Sequence, residues 1–131
     1  MKRLITDKLI MWKNSPYRKP LLLKGARQVG KTYALLDFGK NFYDNVIYIH
    51  FEGNTETLNK IFSIDLNPKR IIEEISVYAK QTIFPHKTLI IFDEIQACEE
   101  ALTSLKYFAE EAPEYHIAAA GSLLGLAINR G

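Results

Sequence analysis

Between Leu21 and Phe42 the chain runs from a short apolar stretch, Leu21-Leu22-Leu23, through Gly25-Ala26-Arg27-Gln28-Val29-Gly30-Lys31-Thr32, into a segment with apolar residues four apart at Ala34, Phe38 and Phe42. No other feature constrains the fold as tightly. A short, wholly apolar run suits a strand buried on both faces, and the four-residue spacing asks for a helix. The residues between them fit G-x-x-x-x-G-K-[ST] without a gap. Glycines let the backbone turn tightly and aim consecutive N–H groups at an anion. The following helix offers its positive end to the same anion. Lys31 is then expected to reach the β- and γ-phosphates of a nucleotide, and Thr32 to ligate Mg²⁺ through its hydroxyl. Gly25, Ala26, Arg27, Gln28, Val29, Gly30, Lys31 and Thr32 together form the expected phosphate cradle.

The rest of the chain continues the alternation of strand and helix. Leu4, Ile5, Leu9, Ile10 and Trp12 predict a leading amphipathic helix over residues 3–13, and Pro16 and Pro20 fence the turn behind it. Val46 to Phe51 reads as a second strand and Asn54 to Phe62 as a short helix. Asn67-Pro68 resembles an N-cap followed by proline at the first helical position, before the apolar face Ile71, Ile72, Ile75, Tyr78 and Ala79. Thr88 to Phe92 is the third strand. A helix over 97–112 closes at Pro113, and His116 to Ala120 is the fourth strand, with a short apolar helical piece beyond Gly121-Ser122. Strands alternating with helices imply βαβ units, so the fold class is α/β with a mainly parallel sheet of about four strands and flanking helices. Residues 1–19 are the leading helix and turn, and residues 20–131 the core of a single domain.

Two acids, Asp93 and Glu94, follow the apolar residues of the third strand. In an open α/β sheet ligands bind beyond the carboxyl ends of the strands. The pair therefore shares a rim with the cradle if the two strands are neighbours. Asp93 would hold Mg²⁺, directly or through water. Glu94 would orient or deprotonate the attacking water, and a second acid there suggests hydrolysis. Helix capping is the plainer role for such a pair. Ser122 has two readings: a polar sensor of the γ-phosphate, or a cap on the following helix. Glu52, after the second strand, either reaches the same rim or caps a helix. His50, within that strand, reads as a satisfied, half-buried residue.

Composition narrows the class. The hydrophobic share of 47% and charged share of 24% are ordinary for a globular chain and argue against disorder. A single cysteine, Cys98, cannot form an internal disulfide, which excludes a stapled secreted scaffold. The apolar runs fall far short of the ~20 residues that span a bilayer. No membrane partner is expected, and the cytoplasm is the default location. The net charge of +2 is unevenly spread: residues 1–32 hold nine bases and one acid, and residues 33–131 eight bases and fourteen acids. That basic quarter could face nucleic acid or simply be a solvated helix. His50, His86 and His116 show no metal-ligand spacing with Cys98.

Three phrases, LLLKGARQVGKT at 21–32, LIIFDEIQ at 89–96 and AAAGSLLG at 118–125, resemble those of the prokaryotic AAA-type ATP-binding family of P-loop NTPases. The resemblance covers nearly the whole chain. It implies a P-loop NTPase (AAA/RecA-like) fold, with ATP and Mg²⁺ as cofactors. Gly25, Gly30, Lys31 and Thr32 become the Walker A site, and Asp93 and Glu94 the Walker B site. Ser122 takes the sensor position, where many relatives carry asparagine. Arg27, Gln28 and Gln96 match the family's wording without an assigned role. Relatives continue into a fifth strand, a helical lid and a C-terminal domain, so the chain is expected to be the N-terminal part of a longer ATPase. Coupling to DNA or a partner protein would lie in that further part, and a homo-oligomer is a further expected partner state. No arginine finger is identifiable, since Arg130 alone follows Arg70.

Mg²⁺-dependent ATP hydrolysis is thus the leading expectation. A P-loop kinase is one alternative, although residues 71–129 contain no arginine to clamp a donor phosphate. A non-catalytic nucleotide-binding switch or interaction module is the other.

Overall fold

A computed structural model of the chain describes residues 2–25, 29–53 and 56–122. Ala26, Arg27 and Gln28 of the expected cradle, and the apolar piece after Ser122, lie outside the described residues, as does the side chain of Val29. The elements run α1 (Lys2–Asn14), β1 (Leu21–Gly25), α2 (Val29–Phe42), β2 (Asn45–His50), α3 (Glu56–Ile64), α4 (Pro68–Ala79), β3 (Thr88–Asp93), α5 (Glu99–Glu111) and β4 (His116–Ser122). A single 3₁₀ turn, Ile95–Ala97, stands between β3 and α5, where the sequence predicts the helix itself to begin.

All four strands are parallel and lie in the order β1-β4-β3-β2. Because side chains alternate along a strand, each face of the sheet collects every second residue. Ile47, Ile49, Ile90, Phe92, Ile117 and Ala119 point into one core, shared with α3, α4 and α5. Leu89, Ile91, Ala118 and Ala120 point into the other, beneath α1 and α2. Burial on both faces is why β3 reads as an unbroken apolar run, whereas β2, at the sheet edge, alternates buried Ile47 and Ile49 with exposed Tyr48 and His50. In the larger core Phe51, Phe62 and Phe92 meet edge-to-face with centroids 5.4–5.9 Å apart.

Local chemistry sets the boundaries. Asn67 caps α4 as the sequence predicts, its Oδ1 accepting from the N–H groups of Lys69 and Arg70 at 3.0 and 3.4 Å. On α2, Gly39 lies against the sheet: a Cβ there would stand 2.4 Å from Val46 Cγ2 and 3.0 Å from Leu89 Cδ2. Helix and strand can pack this closely only because that methyl is missing.

The inner strand β4 carries a run of small residues, Ala118-Ala119-Ala120-Gly121, all buried. The sequence reading places the acids on the cradle's rim on condition that β1 and β3 are neighbours. They are not, since β4 separates them.

The end of the sheet opposite the cradle holds a polar chain that runs from buried Tyr43 and His116 out to exposed His86. Tyr43 Oη lies 2.6 Å from His116 Nδ1, and His116 Nε2 lies 3.1 Å from His86 Nδ1. Arg18 also faces His86 Nδ1, at 3.4 Å, and donates to the carbonyls of Lys13 and Pro113. A guanidinium can only donate, so His86 Nδ1 is an acceptor and His116 carries its proton on Nε2. His116 Nδ1 then accepts from the Tyr43 hydroxyl. Burial above all, and then Arg18, His86 and Lys13, depress the His116 pKa to about 3. Two of the bases in the N-terminal quarter, Lys13 and Arg18, therefore serve the fold: Lys13 lies over the Tyr43 ring and Arg18 ties α1 to the α5–β4 loop.

Candidate nucleotide site

At the carboxyl end of the sheet a cleft is lined by Lys31, Thr32, Asp93, Glu94, Ala120, Gly121 and Ser122. Three elements supply all of them but Glu94, which directly follows β3. The first turn of α2 carries Lys31 and Thr32, the end of β3 carries Asp93, and the end of β4 forms the floor between.

The small floor explains how separated strands share one site. Ala118 and Ala120 lie on the α2 face, and their short side chains let the helix rest low over β4. The start of α2 thereby reaches across to β3. Thr32 Oγ1 donates to Asp93 Oδ2 at 3.0 Å.

Asp93 is buried and surrounded by donors. Besides Thr32, its Oδ2 accepts from Tyr48 Oη at 2.5 Å, and its Oδ1 accepts from the Glu94 N–H at 3.0 Å. Three donors fix the rotamer of the carboxylate. Tyr48 was not singled out by sequence; it stands on β2 opposite Ile91, so it shares the sheet face of Asp93 two residues on. Burial first, and then the Asp93 carboxylate, push the Tyr48 phenol above its ordinary range, so it stays protonated and donating. His50 is exposed and stacks on Tyr48 with centroids 6.3 Å apart, which corrects the half-buried position expected from its place in a strand.

Lys31 Nζ is buried and has no hydrogen-bond partner among the described residues. It lies beside Gly25, which holds φ +157° and whose missing Cβ would stand 2.9 Å from the ammonium. An unpaired buried cation costs free energy until an anion meets it. Beside it stand a hydroxyl and a carboxylate, the oxygen donors that Mg²⁺ favours. The residues present fit a phosphate with its metal ion.

Glu94 adopts φ 52°, ψ 47°, a left-handed conformation that non-glycine residues rarely hold. Its Oε1 accepts from Gln96 Nε2 at 2.7 Å, and Gln96 Oε1 accepts from the Ser122 N–H at 3.3 Å. Sequence reading singled out Gln96 but gave it no role. Glu52 is partly buried and is not among the residues that line this cleft.

No helix among the described residues is long and apolar enough to cross a membrane. No curated protein matches the sequence. Among solved structures, that of C. elegans PCH-2 is similar over 98% of this chain, with 14% identity and a TM-score of 0.45. The chain spans 39% of that protein's chain. The family model described as an AAA domain matches residues 17–130, which include every side chain of the cleft. On that match, which takes in all but the ends of the chain, this protein belongs to the AAA domain family.

Proposed function

We propose that the chain binds ATP with Mg²⁺ and hydrolyses it to ADP and phosphate, as an AAA-type ATPase module of a longer protein. The observation that carries this reading is the convergence of the buried Lys31 ammonium, without a partner among the described residues, with the Thr32–Asp93 hydrogen bond.

Each residue has a separate task. The backbone N–H groups of the Gly25–Thr32 segment cradle the phosphates, and Lys31 meets the negative charge of the β- and γ-groups. Thr32 and Asp93 hold the metal ion, Asp93 being steadied by Tyr48 and by the Glu94 N–H. When bound, Mg²⁺ neutralises charge that develops on the phosphate oxygens. Glu94 orients the attacking water and takes its proton, a contribution of about 10²–10⁴ in rate. Ser122, at the cleft wall, senses the γ-phosphate. The resemblance to prokaryotic AAA-type ATPases extends the reading to a lid, an activating arginine and a DNA or protein partner supplied by further chain or by a second copy.

Titration with a fluorescent ATP analogue, with and without Mg²⁺, followed by phosphate-release assays on the full-length protein, tests the reading. Saturable, Mg²⁺-enhanced binding with turnover is the expected result. Binding without turnover would make the module a nucleotide switch, and no binding would overturn the site.

A further inference from the structure

Glu94 and Ser122 both line the cleft, whereas Gln96 does not. It lies behind the wall and touches both. Its amide has only one workable orientation. The Ser122 N–H can only donate, so it must face Gln96 Oε1, which turns the Gln96 NH₂ toward the Glu94 carboxylate. Flipping the amide would set donor against donor and oxygen against carboxylate at once.

The backbone supports the same arrangement. A left-handed, non-glycine residue is strained and persists only where its surroundings over-determine it. At Glu94 the surroundings do so: its N–H is held by Asp93 Oδ1, and its carbonyl accepts from the Ala97 N–H at 3.1 Å, closing the 3₁₀ turn. That turn brings residues 94 and 96 to face the end of β4, 26 positions beyond Gln96.

We propose that Gln96 is a positioning residue that joins the Glu94 carboxylate to the backbone of Ser122, so that displacement of the β4 end is transmitted to the carboxylate. The role rests on the reading of Glu94 as the group that activates water. A contact between the γ-phosphate and the β4 end would then be felt at Glu94 through one amide, without Gln96 touching the nucleotide. The bland alternative is that Gln96 merely plugs the space behind the turn.

Two readouts on the full-length protein decide between them. The first is the Ser122 amide resonance in ¹⁵N-serine-labelled protein, identified by its loss in Ser122→Ala. Substituting Glu94→Gln should move that resonance in the wild-type background and leave it still in Gln96→Met, which keeps the volume and removes both hydrogen bonds. The second is turnover. Gln96→Met should lower kcat by about 10–100-fold, since misplacement by about 1 Å can cost 10², with nucleotide affinity kept within about twofold. A Ser122 resonance that responds to Glu94→Gln equally in both backgrounds would overturn the link. An intact kcat in Gln96→Met would overturn the positioning role even if the resonance behaves as expected. Should the wild-type protein bind ATP without hydrolysing it, the reading of Glu94 fails, and the link stands or falls on the resonance alone.

Discussion

The hydroxyl of Thr32 donates to the carboxylate of Asp93 at 3.0 Å although the strands that lead to them, β1 and β3, never touch. Adjacent strands lie about 4.8 Å apart, so a full strand between two others separates them by roughly 10 Å. The start of α2 closes that gap because the floor beneath it is alanine and glycine. Reach across the sheet is therefore set by the smallest side chains in the molecule.

Removing the Lys31 ammonium should remove most nucleotide affinity. Hydrogen bonds to charged groups contribute about 1.5–3 kcal/mol, so Lys31→Ala should weaken binding at least 10–100-fold. Fluorescent ATP-analogue titration measures it, and unchanged affinity would place the nucleotide elsewhere.

The two acids should fail in different ways. Glu94→Gln should keep Mg²⁺-enhanced binding and lose turnover by about 10²-fold or more, because only the proton acceptor is neutralised. Asp93→Asn should instead flatten the Mg²⁺ dependence of binding. Parallel titrations with Mg²⁺ and with EDTA separate them, and identical behaviour would refute the division of roles.

Acid should destabilise the fold through His116. Its pKa falls from 6.5 in the unfolded chain to about 3 in the folded one, so below pH 6.5 the unfolded chain binds the extra proton. The stability due to neutral His116 is complete above pH 6.5 and is lost as pH drops toward 3, at up to about tenfold in the folding equilibrium per pH unit. Chemical denaturation at pH 7.5, 6 and 5 should show a decline that His116→Gln, which cannot titrate, reduces. An equal slope in both proteins would mean that other groups carry it.

Gly39→Ala should destabilise despite the better helix former. Alanine gains about 1 kcal/mol over glycine in a helix interior. Against this, a methyl 2.4 Å from Val46 Cγ2 and 3.0 Å from Leu89 Cδ2 overpacks the α2–sheet contact, a cost of typically ~1–3 kcal/mol. The melting temperature should fall, and Val46→Ala in the same chain should restore part of the loss. A melting temperature that rises would show that the helix can shift freely.

Sequence carried the elements further than their arrangement. Leu89–Phe92 was legible as a strand because burial on both faces leaves no polar interruption, and Leu21–Leu23, partly buried at the sheet edge, because its leucines still pack against the cores on the two faces. Asn67-Pro68 was legible because capping is local chemistry. Strand order was not, since spacing along the chain says nothing about which strand enters the middle; the run of alanines in β4 was the available hint. Tyr48 and Gln96 escaped assignment for a related reason. Tyr48 meets Asp93 across 45 residues and Gln96 meets Ser122 across 26, through registers that only the folded sheet sets. The Tyr43–His116–His86 chain likewise joins three segments that carry no common motif.

Strand order also dictates a sequence of events during synthesis. β2 and β3 can pair as soon as residue 93 is available, but β1, made before either, is bonded within the sheet to β4, which follows them both. The cradle at the end of β1 and the acids at the end of β3 therefore cannot acquire their mutual distance until residues 116–122 have slipped between them. A ligand that needs both halves binds only once β4 lies between β1 and β3, and so stabilises that state alone. Nucleotide cannot rescue a nascent chain that still lacks β4; it can only lock the sheet after that strand has entered between β1 and β3.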